Sequence, residues 1–188
     1  STSGTSGSNG WYRGNVTLNL NYSDAMSGVA GYGMGTSSSA NYNSKRTMTQ
    51  TGDTLGTSYY GYVKDKAGNT NKCNVSVKKD TTKPSCSVKL SGTKGNNNWY
   101  KSYVNVSLSY SDSGSGIDTY GLSTSGTTTY NKSKSVTHTS DTKNVKYNGY
   151  VKDNAGNTNN CNTSFKKDAT KPTCSISAST SSSTLNLT

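Results

Sequence analysis

Four cysteines carry the most reactive chemistry in this 188-residue chain: Cys73, Cys86, Cys161 and Cys174. Cys73 and Cys86 are 13 residues apart, and so are Cys161 and Cys174. Four thiolates can close a tetrahedral zinc site, but such sites draw on close C-x-x-C pairs, and this spacing argues against a metal. Oxidised pairs in a protein outside the cell are the expected chemistry. Catalysis has little else to work with. His138 is the single histidine, no nucleophile is paired with it by spacing, and a solvated strand histidine is the expected role rather than a general base. No enzyme and no cofactor are expected.

Two further sets of residues have types suited to binding. Asp24, Asp65, Asp112 and Asp153 lie in glycine-bearing turns and are candidates for calcium, which takes carboxylate oxygens. Capping of turn amides is their ordinary role. Without a stacked D-x-D-x-D loop no metal site is expected. Trp11-Tyr12 and Trp99-Tyr100 are candidates for stacking on a sugar, or for an amphipathic plug at one end of a sandwich.

What positions these residues is a repeat. Shifted by 88 positions, the chain overlays itself without a gap: Trp11-Tyr12 returns as Trp99-Tyr100, Asp24 as Asp112, Asp65 as Asp153 and Cys73 as Cys161. His138 meets Gln50 in this overlay. Self-similarity this close means one structural unit used in series. Residues 1–83 form a first unit, 84–171 a second, and 172–188 the start of a third or a segment available for donation.

Only 28% of residues are apolar, yet fourteen are tyrosine, and valine and leucine alternate regularly, which argues against disorder. The net charge is +11, but the lysines are scattered, so nucleic acid is not an expected partner. Weak attraction to anionic cell-wall polymers fits such diffuse charge. No apolar run is long enough to span a bilayer, so direct membrane insertion is not expected. The chain reads as an excerpt of a longer array.

Val16, Leu18, Leu20 and Tyr22 alternate with polar residues, as do Val104, Val106, Leu108 and Tyr110. Period two marks strands with one buried face. Further strands are expected at Ile117–Leu122, around Val145–Val151, at Cys161–Phe165 and at Cys86–Leu90, with turns at 111–116 and 153–157. About seven short strands per unit predict an all-β chain of tandem immunoglobulin-like β-sandwiches. Lys79 to Pro84, which recurs as Lys167 to Pro172, reads as a short linker that sets the units end to end as a stiff rod.

The carriers of a family resemblance are Asn9 to Tyr12, Asp24 to Val29, Tyr32-Gly33, Tyr62 to Asn69 and Asp80 to Pro84. Trp99-Tyr100, Asp112 to Ile117, Tyr120-Gly121, Tyr150 to Asn157 and Asp168 to Pro172 repeat them. The pattern resembles the bacterial Ig-like repeats of large secreted and surface-anchored proteins, and covers nearly the whole chain. That resemblance implies a stalk or adhesion module outside the cell. Many such repeats lack the cysteines.

Cys73 and Cys86 sit on opposite sides of the linker. A strand running about seven residues away from Cys73 at roughly 3.3 Å per residue carries the two out of bridging range. In an Ig sandwich the first strand can run parallel beside the last, and Cys86 and Cys161 both begin their strands. The expected bridge is Cys86–Cys161. Cys73 and Cys174 then have partners outside their own units. Two readings stay open: a longer array cut at an arbitrary phase, or strand donation in which Cys174 of one chain bonds Cys73 of the next, giving a self-assembling extracellular fibre. A third reading is a carbohydrate-binding accessory module. Expected partners are neighbouring Ig-like repeats, copies of the chain itself, or glycans.

Overall fold

The computed structural model describes residues 1–179. The first repeat contains β1 (Thr2–Ser6), β2 (Trp11–Asn19), β3 (Val29–Gly35), β4 (Thr47–Gln50), β5 (Thr54–Asp65) and β6 (Thr70–Lys79). The second contains β7 (Ser85–Ser91), β8 (Trp99–Tyr100), β9 (Val104–Ser111), β10 (Ile117–Ser123), β11 (Ser135–His138), β12 (Thr142–Asp153) and β13 (Thr158–Lys167). The chain is all-β, built of immunoglobulin-like sandwiches. A single 3-10 turn at Asn96–Asn98 is the one helical element among the described residues. Thr184 to Leu187, an expected echo of Thr17 to Leu20, lies outside the described residues.

In the second repeat one sheet has the order β10-β12-β13-β8 and the other β11-β9-β7. Alternation decides the facing: Val104, Val106 and Leu108 are buried, while Asn105 between the two valines is exposed. They meet Tyr100, Leu122, Tyr147, Val151 and Phe165 in one core. The first repeat repeats the scheme around Val16, Leu18, Leu20, Met34, Tyr59 and Val77. There β2 runs unbroken where the second repeat has both β8 and β9. It pairs with β6 at Trp11–Tyr12, then with β1 and β4 further on. β1 stays on β2 through the bend, with Ser6 opposite Tyr12, so the two layers are joined into one folded sheet.

Thr2 lies opposite Leu18 just as Leu90 lies opposite Val106. By the repeat, β1 therefore starts in the place of the end of β7.

Each sandwich is fastened by a buried lysine at the end of its last strand. Lys79 Nζ donates to Asp53 Oδ1 at 3.0 Å and to the Thr51 carbonyl at 2.9 Å. Lys167 Nζ donates to Asp141 Oδ1 at 2.6 Å. A buried ammonium needs such partners because its desolvation is costly. For Asp53, partial burial pushes the carboxyl up, but the bonds from Lys79, Thr81 and Thr82 outweigh it and hold the pKa below the usual range. Lys167, Thr170 and Ala169 hold Asp141 lower still.

Candidate functional site at the repeat junction

The turns that the sequence marks with aspartate and glycine cap themselves. Asp24 Oδ2 accepts the Gly28 N–H at 2.6 Å and Asp112 Oδ2 the Gly116 N–H at 2.7 Å. Gly28 and Gly116 have φ of +75° and +79°, a conformation that glycine alone adopts freely. Asp65 and Asp153 each take both the backbone and side-chain N–H of the asparagine four residues on. These are side-chain caps of the ordinary turn type.

In the second repeat the same two turns also receive the first. The Asp80 backbone N–H is held by the Tyr12 carbonyl at 3.0 Å, and its carboxylate accepts from Thr82 N at 3.0 Å and from Ser115 N, across the junction, at 2.6 Å. Asn157 Nδ2 spans the gap, donating to the Asp80 and Thr82 carbonyls and to Asp153 Oδ2. Asn159 holds the Pro84 carbonyl at 2.8 Å. On the other flank, the turn joining β1 to β2 docks on the turn after β12: Ser8 N donates to the Ala155 carbonyl at 2.9 Å, with Asn9 and Arg13 reaching the Asn154 and Gly156 carbonyls. A side chain at Gly114 would collide with the Asp80 carboxylate. The segment after β6 is thus packed and bonded, not a free hinge.

Three carboxylates converge here. Asp80, Asp112 and Asp153 each offer an oxygen, all within 4.8 Å of one another. Asp80 and Asp153 are fully buried. Asp112 Oδ1 is buried without a hydrogen-bond partner. Burial pushes the Asp112 carboxyl up, the Gly116 N–H opposes this, and the charges of Asp80 and Asp153 add to the rise. Such an oxygen set has the hardness to take a divalent cation or to share a proton. Two of the four sequence candidates, Asp112 and Asp153, are brought together with Asp80, which composition alone does not single out. Its signal is its return as Asp168 at the same shift. Asp24 and Asp65 sit at the outer end of the first repeat, where Asp24 is exposed.

Beside the junction, Cys86 and Cys161 are joined, with Cα atoms 5.6 Å apart. The bridge crosses between sheets. β7 and β13 run in the same direction, but each is hydrogen-bonded to other strands, β7 to β9 and β13 to β12 and β8. The sequence expectation of adjacent strands is corrected to facing ones. Cys73 and Cys174 are free and exposed.

Trp11-Tyr12 and Trp99-Tyr100 lie on the edges of the two sandwiches, against β6 and β13. Tyr100 is buried, edge-on to Phe165. Trp99 is half-buried under Lys166 and Trp11 under Lys78. The two pairs are one repeat apart and do not form a common platform.

The sequence matches no family model and no curated protein. Among solved structures it is similar to the fibronectin(III)-like modules of Clostridium thermocellum CbhA. That similarity is 14% identity over 90% of this chain and 95% of that chain, with a TM-score of 0.39. Among the described residues no helix is long and apolar enough to cross a membrane.

Proposed function

We propose that this chain is an extracellular structural module, a stalk of disulfide-stiffened Ig-like repeats that spaces or displays what it carries, and that it is not a catalyst. The observation that carries this reading is the two-point junction. The segment after β6 and the turn before β2 are bonded to neighbouring turns of the second repeat. Two separated points of attachment resist bending about either one. The Cys86–Cys161 bridge supports an oxidising compartment, and the motif resemblance supports a bacterial surface or secreted setting. Adhesion to glycans or anionic wall polymers is a compatible further use of the lysine-bearing surface.

Small-angle scattering on the chain tests the reading. Two sandwiches in line, each with strands of about ten residues at roughly 3.3 Å rise plus turns, give a rod about 80 Å long. Asn157→Ala, which removes the spanning side chain, broadens the distance distribution. A compact or variable shape for the unaltered chain overturns the stalk.

A further inference from the structure

We propose that a cleft on the second repeat, walled by Lys94, Lys143 and Lys166, binds an acidic saccharide, a sugar unit carrying carboxylate or phosphate groups. The inference deepens the stalk reading by naming a site and a ligand class, and it rests on that reading for its extracellular setting.

The cleft holds about 410 Å³, within the range of small-molecule sites, roughly 300–1,000 Å³. Tyr100 and Phe165 give it an apolar floor, Asn98, Asn144 and Ser164 add two amides and a hydroxyl, and no acidic side chain lines it. Two local features build its walls. The loop between β7 and β8 is closed on itself. Lys94 pairs with Tyr100 in an antiparallel bridge, the Gly95 N–H donates to the Trp99 carbonyl at 2.7 Å, and the Lys101 N–H donates to the Thr93 carbonyl at 2.9 Å. On the other side, β12 carries one extra residue against β13 between Thr142 and Val145. A bulge of this kind re-aims the side chains it carries, here Lys143 and Asn144.

Lysines that serve the fold are paired: Lys79 with Asp53, Lys152 with Asp118 and Lys167 with Asp141. Among the described residues, Lys94, Lys143 and Lys166 have no carboxylate partner. Aromatic rings hold two of them instead. Lys94 Nζ lies 5.9 Å from the Tyr100 ring centre and Lys166 Nζ 4.9 Å from that of Trp99. Such contacts steady an ammonium without neutralising it, which lowers the ordering cost of binding. Like charges around a partly apolar cleft concentrate anions there. An ammonium takes carboxylate or phosphate alike, as a point charge, while the amides and the hydroxyl match the hydroxyls of a sugar ring. Nucleic acid is the poorer occupant, because its bases find no open ring to stack on. Tyr100 and Phe165 are buried, and Trp99 lies under Lys166.

The first repeat supplies the comparison. Its β5 has the same bulge, between Thr54 and Thr57. Yet the positions 88 residues before Lys94 and Lys143 hold Ser6 and Leu55, and Lys78 alone matches a cleft lysine, Lys166. The frame recurs, so the added cations are not what the frame requires. Nor does a docked neighbour cover this face. The first repeat has one bonded to its turns, and its counterparts of the polar and charged walls, Ser6, Gly10, Leu55, Gly56, Ser76 and Lys78, are all exposed.

The test is calorimetric titration of the full chain with trigalacturonic acid, glucose bisphosphate and neutral maltotriose. Salt is kept at about 0.15 M, where charges more than about 8 Å apart are screened. The expected result is one site per chain for an acidic probe and none for maltotriose, and the tighter acidic probe names the acid group. Lys94→Ser with Lys143→Leu installs residues that the first repeat already carries, and weakens binding roughly tenfold or more. Lys64→Ser with Lys66→Ser removes the same charge from exposed positions of the first repeat and leaves the affinity unchanged. Failure of both acidic probes to bind, equal binding of maltotriose, or equal losses in the two double variants overturns the site. So does tighter, cleft-dependent binding of a deoxythymidine oligomer, which would make nucleic acid the occupant. Scattering on the same samples separates the two readings: a rod that binds nothing loses the site alone, and a compact chain that binds loses the stalk alone.

Discussion

The same turn leads two lives in the two repeats. Asp65 to Asn69 and Asp153 to Asn157 have the same side-chain caps. Yet Ala67 is exposed while Ala155 is fully buried, and Asp153 is buried at the junction with the first repeat while Asp65 is only partly covered. The last strands differ in the same way: Cys161 is bridged and half-buried, whereas its counterpart Cys73 is bare. Equal sequence thus yields equal local structure, and the neighbour decides what is buried. The second repeat carries a disulfide and has another sandwich bonded to its turns, which predicts unequal stability from nearly equal cores.

Removing the bridge breaks that inequality most sharply. The crosslink spans 75 residues, so Cys161→Ser costs the second repeat about 4 kcal/mol in the chain-entropy model. The first repeat is unaffected. Denaturant unfolding followed by tryptophan fluorescence, with Trp11→Phe and Trp99→Phe variants to separate the repeats, reads each transition. Loss of stability in the first repeat instead would contradict the assignment of the bridge to the second.

A smaller asymmetry is expected at the glycine opposite each of these cysteines. A methyl group at Gly149 runs into Leu108, Cys161 and Val88, while one at Gly61 meets Leu20 and Cys73. Overpacking costs about 2 kcal/mol where neighbours cannot move, so Gly149→Ala loses that amount. Gly61→Ala loses less, because its methyl group meets Leu20 and Cys73 without a third side chain such as Val88. Equal losses in the two thermal transitions would show that the Val88 contact adds nothing to the cost.

Much of this was legible in the residues. Alternation of Val16, Leu18 and Leu20 sets a buried face, and Val104, Val106 and Leu108 repeat it, because period two admits one facing. The course of β2 was not legible. It runs unbroken in the first repeat and is split into β8 and β9 in the second, since a bend between layers leaves no mark in the apolar pattern. The junction was half legible. Asp112 and Asp153 stand out in their turns, but Asp80 joins them only through contacts between units, which composition cannot express. Asp53 with Lys79, and Asp141 with Lys167, were not legible either, because each pair is brought together only by the folding of its own sandwich. Their trace in the sequence is an acid 26 residues before a lysine in both copies.

Those lysine pairs give a control in which the repeats behave alike. Lys79→Met and Lys167→Met each remove a charged hydrogen bond from a nearly buried group and cost about 1–2 kcal/mol. The pH dependence follows from the carboxyls. Asp53 and Asp141 are held below their ordinary range in the folded state. Their contribution is therefore full above that range and is lost as pH falls through the depressed values. Acid titration of both unfolding transitions is expected to show the same downward slope, flattened in the variants.

Asp112 has the opposite sign and the smallest effect. Its carboxyl is pushed up, first by burial, so the folded chain binds the proton more tightly than the unfolded one. The ionised form is penalised at neutral pH, and stability rises as pH falls through the window between the ordinary and the raised value. In buffer with a chelator, Asp112→Asn removes that penalty and stabilises the second repeat by about 1 kcal/mol, in line with relief of a like-charge contact beside a buried, unpartnered oxygen. Asp24→Asn, at the exposed equivalent, changes nothing beyond its cap. The measurement is the pair of melting temperatures from pH 4 to pH 8. The gain should appear in the second transition alone and shrink as pH falls, because protonation of Asp112 relieves the same penalty. A gain of the same size from Asp24→Asn would assign the effect to net charge, and the crowding of Asp80, Asp112 and Asp153 would then carry no energy of its own.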